Sequence, residues 1–236
     1  MRNFKTLLFK NNQINVQSPL YNMFKNDFVY HSGAIEGLVF IMDDVNCENN
    51  EQKKFNHNLY ISECFDFVLQ TYSEKISEKY INSLHTILLE KKVIENIVQF
   101  DRYRIDEITI NERKKPNNEK IREMMNELIT KYHKEKMSLI DIARFHCQFE
   151  RIHPFPHGSG SVARLIMLKQ CLQNNVKPFV IEDTNKVFYR NGFVFYDTTD
   201  KPDGMKRYLK NQQMKFISKY KAMYYKLFKE ECGKEY

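Results

Sequence analysis

From Phe149 to Arg164 the chain reads FERIHPFPHGSGSVAR: an apolar helix end, two prolines, and a glycine–serine turn that runs into a second apolar stretch. Pro154 and Pro156 each lack a backbone donor and push the preceding residue out of helical space, so a helix arriving here must stop. Upstream, Leu139, Ile142, Ala143, Phe145, His146, Phe149 and Ile152 cover most of the circumference of a helix starting at Ser138, where Ser-Leu-Ile-Asp141 is a capping box in its Asp form. Downstream, Val162, Leu165, Ile166, Met167, Leu168 and Leu172 leave little polar surface, which predicts a central buried helix. Between them, Gly158-Ser159-Gly160-Ser161 can turn several N–H groups toward one point, and the helix start adds unpaired donors and a partial positive charge. Arg164, one turn inside, can reach the same anion with a forked guanidinium. The stretch therefore predicts a nucleotide-phosphate loop formed by Gly158, Ser159, Gly160, Ser161 and Arg164, with His153 as a base beside it. The plain alternative is an ordinary turn with His153 as a capping residue packed on Phe155.

Most of the rest of the chain repeats at helical period. Ile121, Met124, Met125, Leu128, Ile129 and Tyr132 form one stripe, and further helices are expected at about 59–73, 77–92, 185–196 and 203–230. Ile108 and Ile110 alternate around Thr109 ahead of Lys114-Lys115-Pro116, which reads as a short β-hairpin. The fold class is thus mainly α, a helical core around a buried helix–loop–helix with one small hairpin.

At 236 residues and 42% apolar content the chain can bury a sizeable core. Its five cysteines are isolated, which fits a reducing compartment; Cys64, Cys147 and Cys171 fall in apolar helical patterns and read as packing. No secretory signal and no membrane-spanning run is visible, so a cytoplasmic location is expected. The net charge is +7, and residues 201–236 hold ten Lys/Arg against four Asp/Glu. That localised excess reads as a solvated basic helix, with nucleic-acid contact the lesser reading.

The central stretch resembles the core motif of Fic (Fido-fold) proteins, His-x-Phe-x-(Asp/Glu)-Gly-Asn-Gly-Arg-x-x-Arg. The resemblance runs over roughly residues 25–210. Leu84-His85 followed by Leu88 looks like the family's Leu-His-x-x-Leu helix, Tyr103-Arg104 and the isoleucine alternation look like its flap, and Arg151-Ile152 and Leu165-Ile166 match the motif's flanks. Ser32-Gly33-Ala34-Ile35-Glu36-Gly37 resembles the family's (Ser/Thr)-x-x-x-Glu-(Gly/Asn) inhibitory helix, placed at about 25–42. The resemblance implies an N-terminal segment 1–58, a Fic core 59–200 and a basic helical extension 201–236, forming one unit. It implies transfer of AMP from ATP to a hydroxyl of a target protein docked on the flap at about 104–113, with Ser32 and Glu36 inhibitory and Glu36 paired with Arg164. It leaves an oligomer open.

Three positions depart from the family pattern. His157 stands where an acidic residue would hold magnesium, and imidazole is a poor ligand for that hard cation, so no metal ligand is assigned. Ser159 replaces the asparagine, and Ser161 replaces an arginine that would clamp phosphate. Two main readings remain: a slow, autoinhibited AMP transferase, or a catalytically inactive nucleotide- or partner-binding pseudo-enzyme. A basic nucleic-acid-binding helical protein is a third. A site for a softer metal on His153 and His157, with His146, is a minor alternative.

Overall fold

The computed structural model describes residues 8–10, 13–37, 50–89, 103–105, 107–110, 113–133 and 136–232. In chain order these form a two-residue hairpin, β1 (Phe9–Lys10) and β2 (Gln13–Ile14), then helices α1 (Pro19–Ile35), α2 (Asn50–Gln70) and α3 (Glu78–Leu88). A second hairpin comes next, β3 (Thr109–Ile110) and β4 (Arg113–Lys114), with Thr109 opposite Lys114 and Ile110 opposite Arg113. Helices α4 (Asn118–Lys131), α5 (Leu139–Ile152), α6 (Ser159–Gln173), α7 (Lys186–Thr199) and α8 (Asp203–Cys232) complete the chain. The mainly α architecture is the one the periodicity predicts.

Helix α6 is the axis. Every residue from Ser159 to Leu172 is buried, and α1, α2, α3 and α5 pack around it. An all-round apolar helix has no solvent face, so its neighbours must surround it. Even Lys169 is fully buried. Its ammonium donates to the Thr71 carbonyl just past the end of α2 and lies 4.0 Å from the Tyr80 ring centroid. Burial pulls its pKa down to about 8. Helix α5 begins with the predicted capping box: the Ser138 N–H donates to Asp141 Oδ2 at 3.0 Å. Cys64, Cys147 and Cys171 are free and buried, and burial pushes each thiol's pKa up.

One boundary is corrected. The helix placed at 25–42 runs instead over Pro19–Ile35, with residues 38–42 outside the described set. Proline at the first helical position is pre-organised for a start, and Gly37 at φ +85° supplies the left-handed residue that ends the helix. Glu36 therefore caps the helix C-terminus rather than lying inside it. The basic terminal segment packs against the core. Met205, Tyr208, Leu209, Phe216 and Tyr220 are buried, and the Phe216 ring meets Phe24 of α1 at 4.9 Å. Lys215 pairs with Glu182 at 2.8 Å, and Lys219 and Tyr220 both reach Asp27. Part of the positive charge is thus used in pinning α8 to the core. No helix among the described residues is long and apolar enough to cross a membrane.

Candidate functional site

Helix α5 stops where the prolines dictate. His153 is its C-cap, in the left-handed region at φ 51°, with its N–H donating to the Phe149 carbonyl at 2.8 Å. The carbonyls freed at this end need donors, and Arg104 provides them. Its Nε donates to His153 O at 2.9 Å, its Nη2 to Pro116 O at 2.6 Å and Ile152 O at 3.4 Å, and its backbone N–H to Pro154 O at 2.8 Å. One buried cation thus ties the base of the flap to the histidine turn. A cation at a helix C-terminus also has the right sign for the helix dipole.

The turn is held from its other side by α3. His85 stacks on Phe155, with ring centroids 3.7 Å apart and planes 7° apart, and its Nε2 donates to the His157 carbonyl at 3.1 Å. Burial brings His85 down to about pKa 4, so the ring is neutral at physiological pH. The Ser159 hydroxyl accepts from Phe155 N–H and donates to Phe155 O, both at 2.9 Å. Gly158 adopts φ +76°, and a Cβ there would lie 2.6 Å from Leu88 Cδ2. Only glycine fits both the backbone and the space.

At the anion end, Arg164 is buried, and its Nε and Nη2 are both engaged. Its Nε donates to Ser32 Oγ at 2.9 Å; its Nη2 donates to Glu36 Oε1 at 2.8 Å, Ser32 O at 3.1 Å and Ser161 Oγ at 3.2 Å. Burial alone would lower the guanidinium's pKa, but the Glu36 carboxylate more than offsets it and the net shift is upward. A Cβ on Gly160 would collide with Glu36 Oε1 and lie 3.2 Å from Arg164 Nη1. The glycine therefore leaves room for an oxygen over the start of α6, and Glu36 fills it.

A second carboxylate lies in the same cleft. Glu150 Oε2 is 3.7 Å from His153 Nδ1, and Glu150 Oε1 would be 3.4 Å from a Cβ on Gly160. Burial would raise the Glu150 carboxyl's pKa, but His153, His146 and the Arg164 charge outweigh it and bring it down to about 2. Lys115, just after the hairpin, donates to the Glu150 carbonyl at 3.1 Å. The cleft has a volume of about 280 Å3, and Glu36, Lys115, Glu150, His153, Arg164 and Tyr189 are in its wall.

The fold thus gathers Ser32, Glu36, His153, Gly160, Ser161 and Arg164 around one cleft. It turns the Ser159 hydroxyl inward to the loop backbone, and it leaves His157 exposed. Of the three histidines considered for a softer metal, His146 is in the core, its Nε2 2.6 Å from Tyr189 Oη, His153 meets Glu150 and His157 is exposed; no cluster of three or more ligating side chains occurs among the described residues. Nor does the motif fit magnesium, because an exposed imidazole replaces the carboxylate. Sequence reading missed Glu150, Arg104 and Lys115. The available signal was an acid in the last turn of a helix, three residues before His153, where the helix dipole disfavours negative charge.

With this geometry in place, comparison with known proteins gives a consistent picture. Residues 75–171 match the family model for the Fic/DOC family. Among solved structures, the chain resembles a Fic-domain-containing signalling protein from Bacteroides thetaiotaomicron, with 17% identity, TM-score 0.69 and 91% of each chain covered. It also resembles Fic-1 from C. elegans, at 17% identity and TM-score 0.67, with 87% of this chain and 66% of that one covered. A Fic family protein from Desulfovibrio desulfuricans gives 16% identity and TM-score 0.62, with 86% and 66% covered. At such identities the likeness is one of fold. No curated protein matches the chain in sequence.

Proposed function

Because the chain is a Fic-family protein, carrying a Fic/DOC domain over residues 75–171, we propose that it transfers AMP from ATP to a hydroxyl side chain of a target protein and that Glu36 restrains it. The observation that carries this reading is the 2.8 Å Glu36–Arg164 ion pair in the cleft that His153 also lines. A carboxylate in that fork competes with a phosphate oxygen for the same donors. In the reaction, the target hydroxyl oxygen bonds to the α-phosphorus of ATP, the bond to the β-phosphate oxygen breaks, and pyrophosphate leaves. The hydroxyl proton passes to His153. Arg164, once released from Glu36, holds the phosphates, and the N–H groups opening α6 face the charge that develops. The target peptide lies along the β3–β4 hairpin as an added strand.

A second reading, a nucleotide-binding protein without turnover, draws on the exposed His157 and on Ser161 where the family has an arginine. The test is incubation with ATP labelled at the α-phosphate. Wild type should label nothing, Glu36→Gly should self-label weakly, and His153→Ala in that background should abolish the signal. Adding His157→Asp and Ser161→Arg should strengthen it. If that repaired protein folds and binds ATP yet still labels nothing, the non-catalytic reading replaces the transferase.

A further inference from the structure

The structure assigns Glu150 as the positioning residue for His153: its carboxylate accepts a hydrogen bond from Nδ1–H, so that the imidazole presents an unprotonated Nε2 as the base. For its catalytic consequence this rests on the transfer reaction proposed above; as a statement about the imidazole it stands alone.

Residues three apart on a helix share a face, and the last turn of α5 brings Glu150 under His153, Oε2 to Nδ1 3.7 Å. That is an ion-pair contact, longer than a hydrogen bond. Nδ1 is buried and has no hydrogen-bond partner among the described residues. The backbone on both sides is fixed: Lys115 holds the Glu150 carbonyl and Arg104 holds the His153 carbonyl. Only a side-chain movement of under about 1 Å separates this geometry from a hydrogen bond, and such contacts commonly close only when substrate is bound. Glu150, with a side chain only 17% exposed, also needs a reason for its place. It lies at a helix C-terminus, where negative charge is unfavourable, and with Glu36 it puts two carboxylates beside one arginine. His146, the other imidazole on this face of α5, bonds Tyr189 through Nε2, and Nε and Nη2 of Arg164 bond Ser32, Glu36 and Ser161. His153 Nδ1, itself without a hydrogen-bond partner, lies 3.7 Å from the Glu150 carboxylate. The ionised state that this role requires is the one the carboxyl holds at neutral pH.

The consequence concerns the tautomer. A neutral imidazole without constraint favours the proton on Nε2, which would leave no lone pair facing the cleft. A carboxylate at Nδ1 reverses that choice, and it stabilises the imidazolium formed when the hydroxyl proton arrives on Nε2.

Two readouts test this. Side-chain 15N NMR of the full-length protein should show neutral His153 protonated on Nδ1 in the wild type and on Nε2 in Glu150→Met, which keeps volume but removes the acceptor. In the Glu36→Gly background, Glu150→Met should lower the labelling rate about a hundredfold to ten-thousandfold with little change in ATP affinity, and Glu150→Asp should recover part of it. A wild-type His153 already protonated on Nε2, or a tautomer unchanged by Glu150→Met, overturns the assignment. Absence of labelling in every variant would count against the transferase reading alone, since the tautomer still decides the role of Glu150.

Discussion

Replacing Glu36 with alanine removes the carboxylate from the Arg164 fork, and the structure sets both the size and the direction of the effect. Deleting one partner of a fully buried ion pair costs about 3–5 kcal/mol. Here the loss is smaller, because the Glu36 side chain is 29% exposed and Arg164 keeps Ser32 Oγ, Ser32 O and Ser161 Oγ. Alanine also relieves a negative charge at the C-terminus of α1, worth about 0.3–1 kcal/mol. The net destabilisation should be about 1–2 kcal/mol, which for a chain of this size lowers Tm by roughly 2–8 °C. The same free energy should reappear as ligand affinity, since ATP no longer has to displace the carboxylate. Calorimetric titration should show ATP binding tightened about 5- to 30-fold. Alanine is preferred to glycine for this measurement because glycine at the helix cap adds a backbone-entropy cost of about 0.5–1 kcal/mol. A lower Tm with unchanged ATP affinity would show that Arg164 is not the phosphate fork. No change in either would show that the ion pair contributes nothing.

Gly160→Ala gives a contrasting signature. The methyl would collide with the Glu36 carboxylate and occupy the space over the α6 N-terminus, so Tm should fall by several degrees, on the order of 1–3 kcal/mol. ATP affinity should fall too, where Glu36→Ala raises it; retained affinity would place the anion elsewhere. A pH dependence arises from His85 and His146, both brought down to about pKa 4 by burial. The unfolded chain protonates them near pH 6.5, so their neutral burial stabilises the fold fully above that value, and this is lost as pH falls toward about 4, by ~2 kcal/mol each between about pH 7 and pH 5. Glu150 adds nothing in that window, because its depressed pKa affects stability only below about 4.5. Urea unfolding at the two pH values should show the loss, and His146→Gln should remove about half of it; a flat profile would mean that the two rings charge without cost.

Legibility in the sequence tracked the range of the interaction. Local rules were enough for the Ser138 capping box, the proline stop after His153, the all-round apolar α6 and the alternation that became β3–β4, since each depends on residues within a few positions of one another. The start of α1 was misplaced although Ser18-Pro19 is a good start signal and Leu20, Tyr21, Phe24 and Phe28 recur at helical spacing, because the helix was placed from the resemblance of Ser32–Gly37 alone. The Glu36–Arg164 contact spans 128 positions; it was anticipated only through family resemblance, as no local rule links the two residues. Tertiary packing alone decided the rest. It drew the basic terminal helix against α1 and α7, turned the Ser159 hydroxyl into the loop, left His157 in solvent, and used Arg104 to satisfy the carbonyls at the end of α5. It also made Glu150 more than a surface acid. The sequence puts Glu150 one turn before His153, but its charge gained meaning only when α6 and α1 closed over it and brought Arg164 and Glu36 to the same cleft. Backbone propensity acts between near neighbours, whereas the desolvation and pairing of a charge depend on everything the fold packs around it.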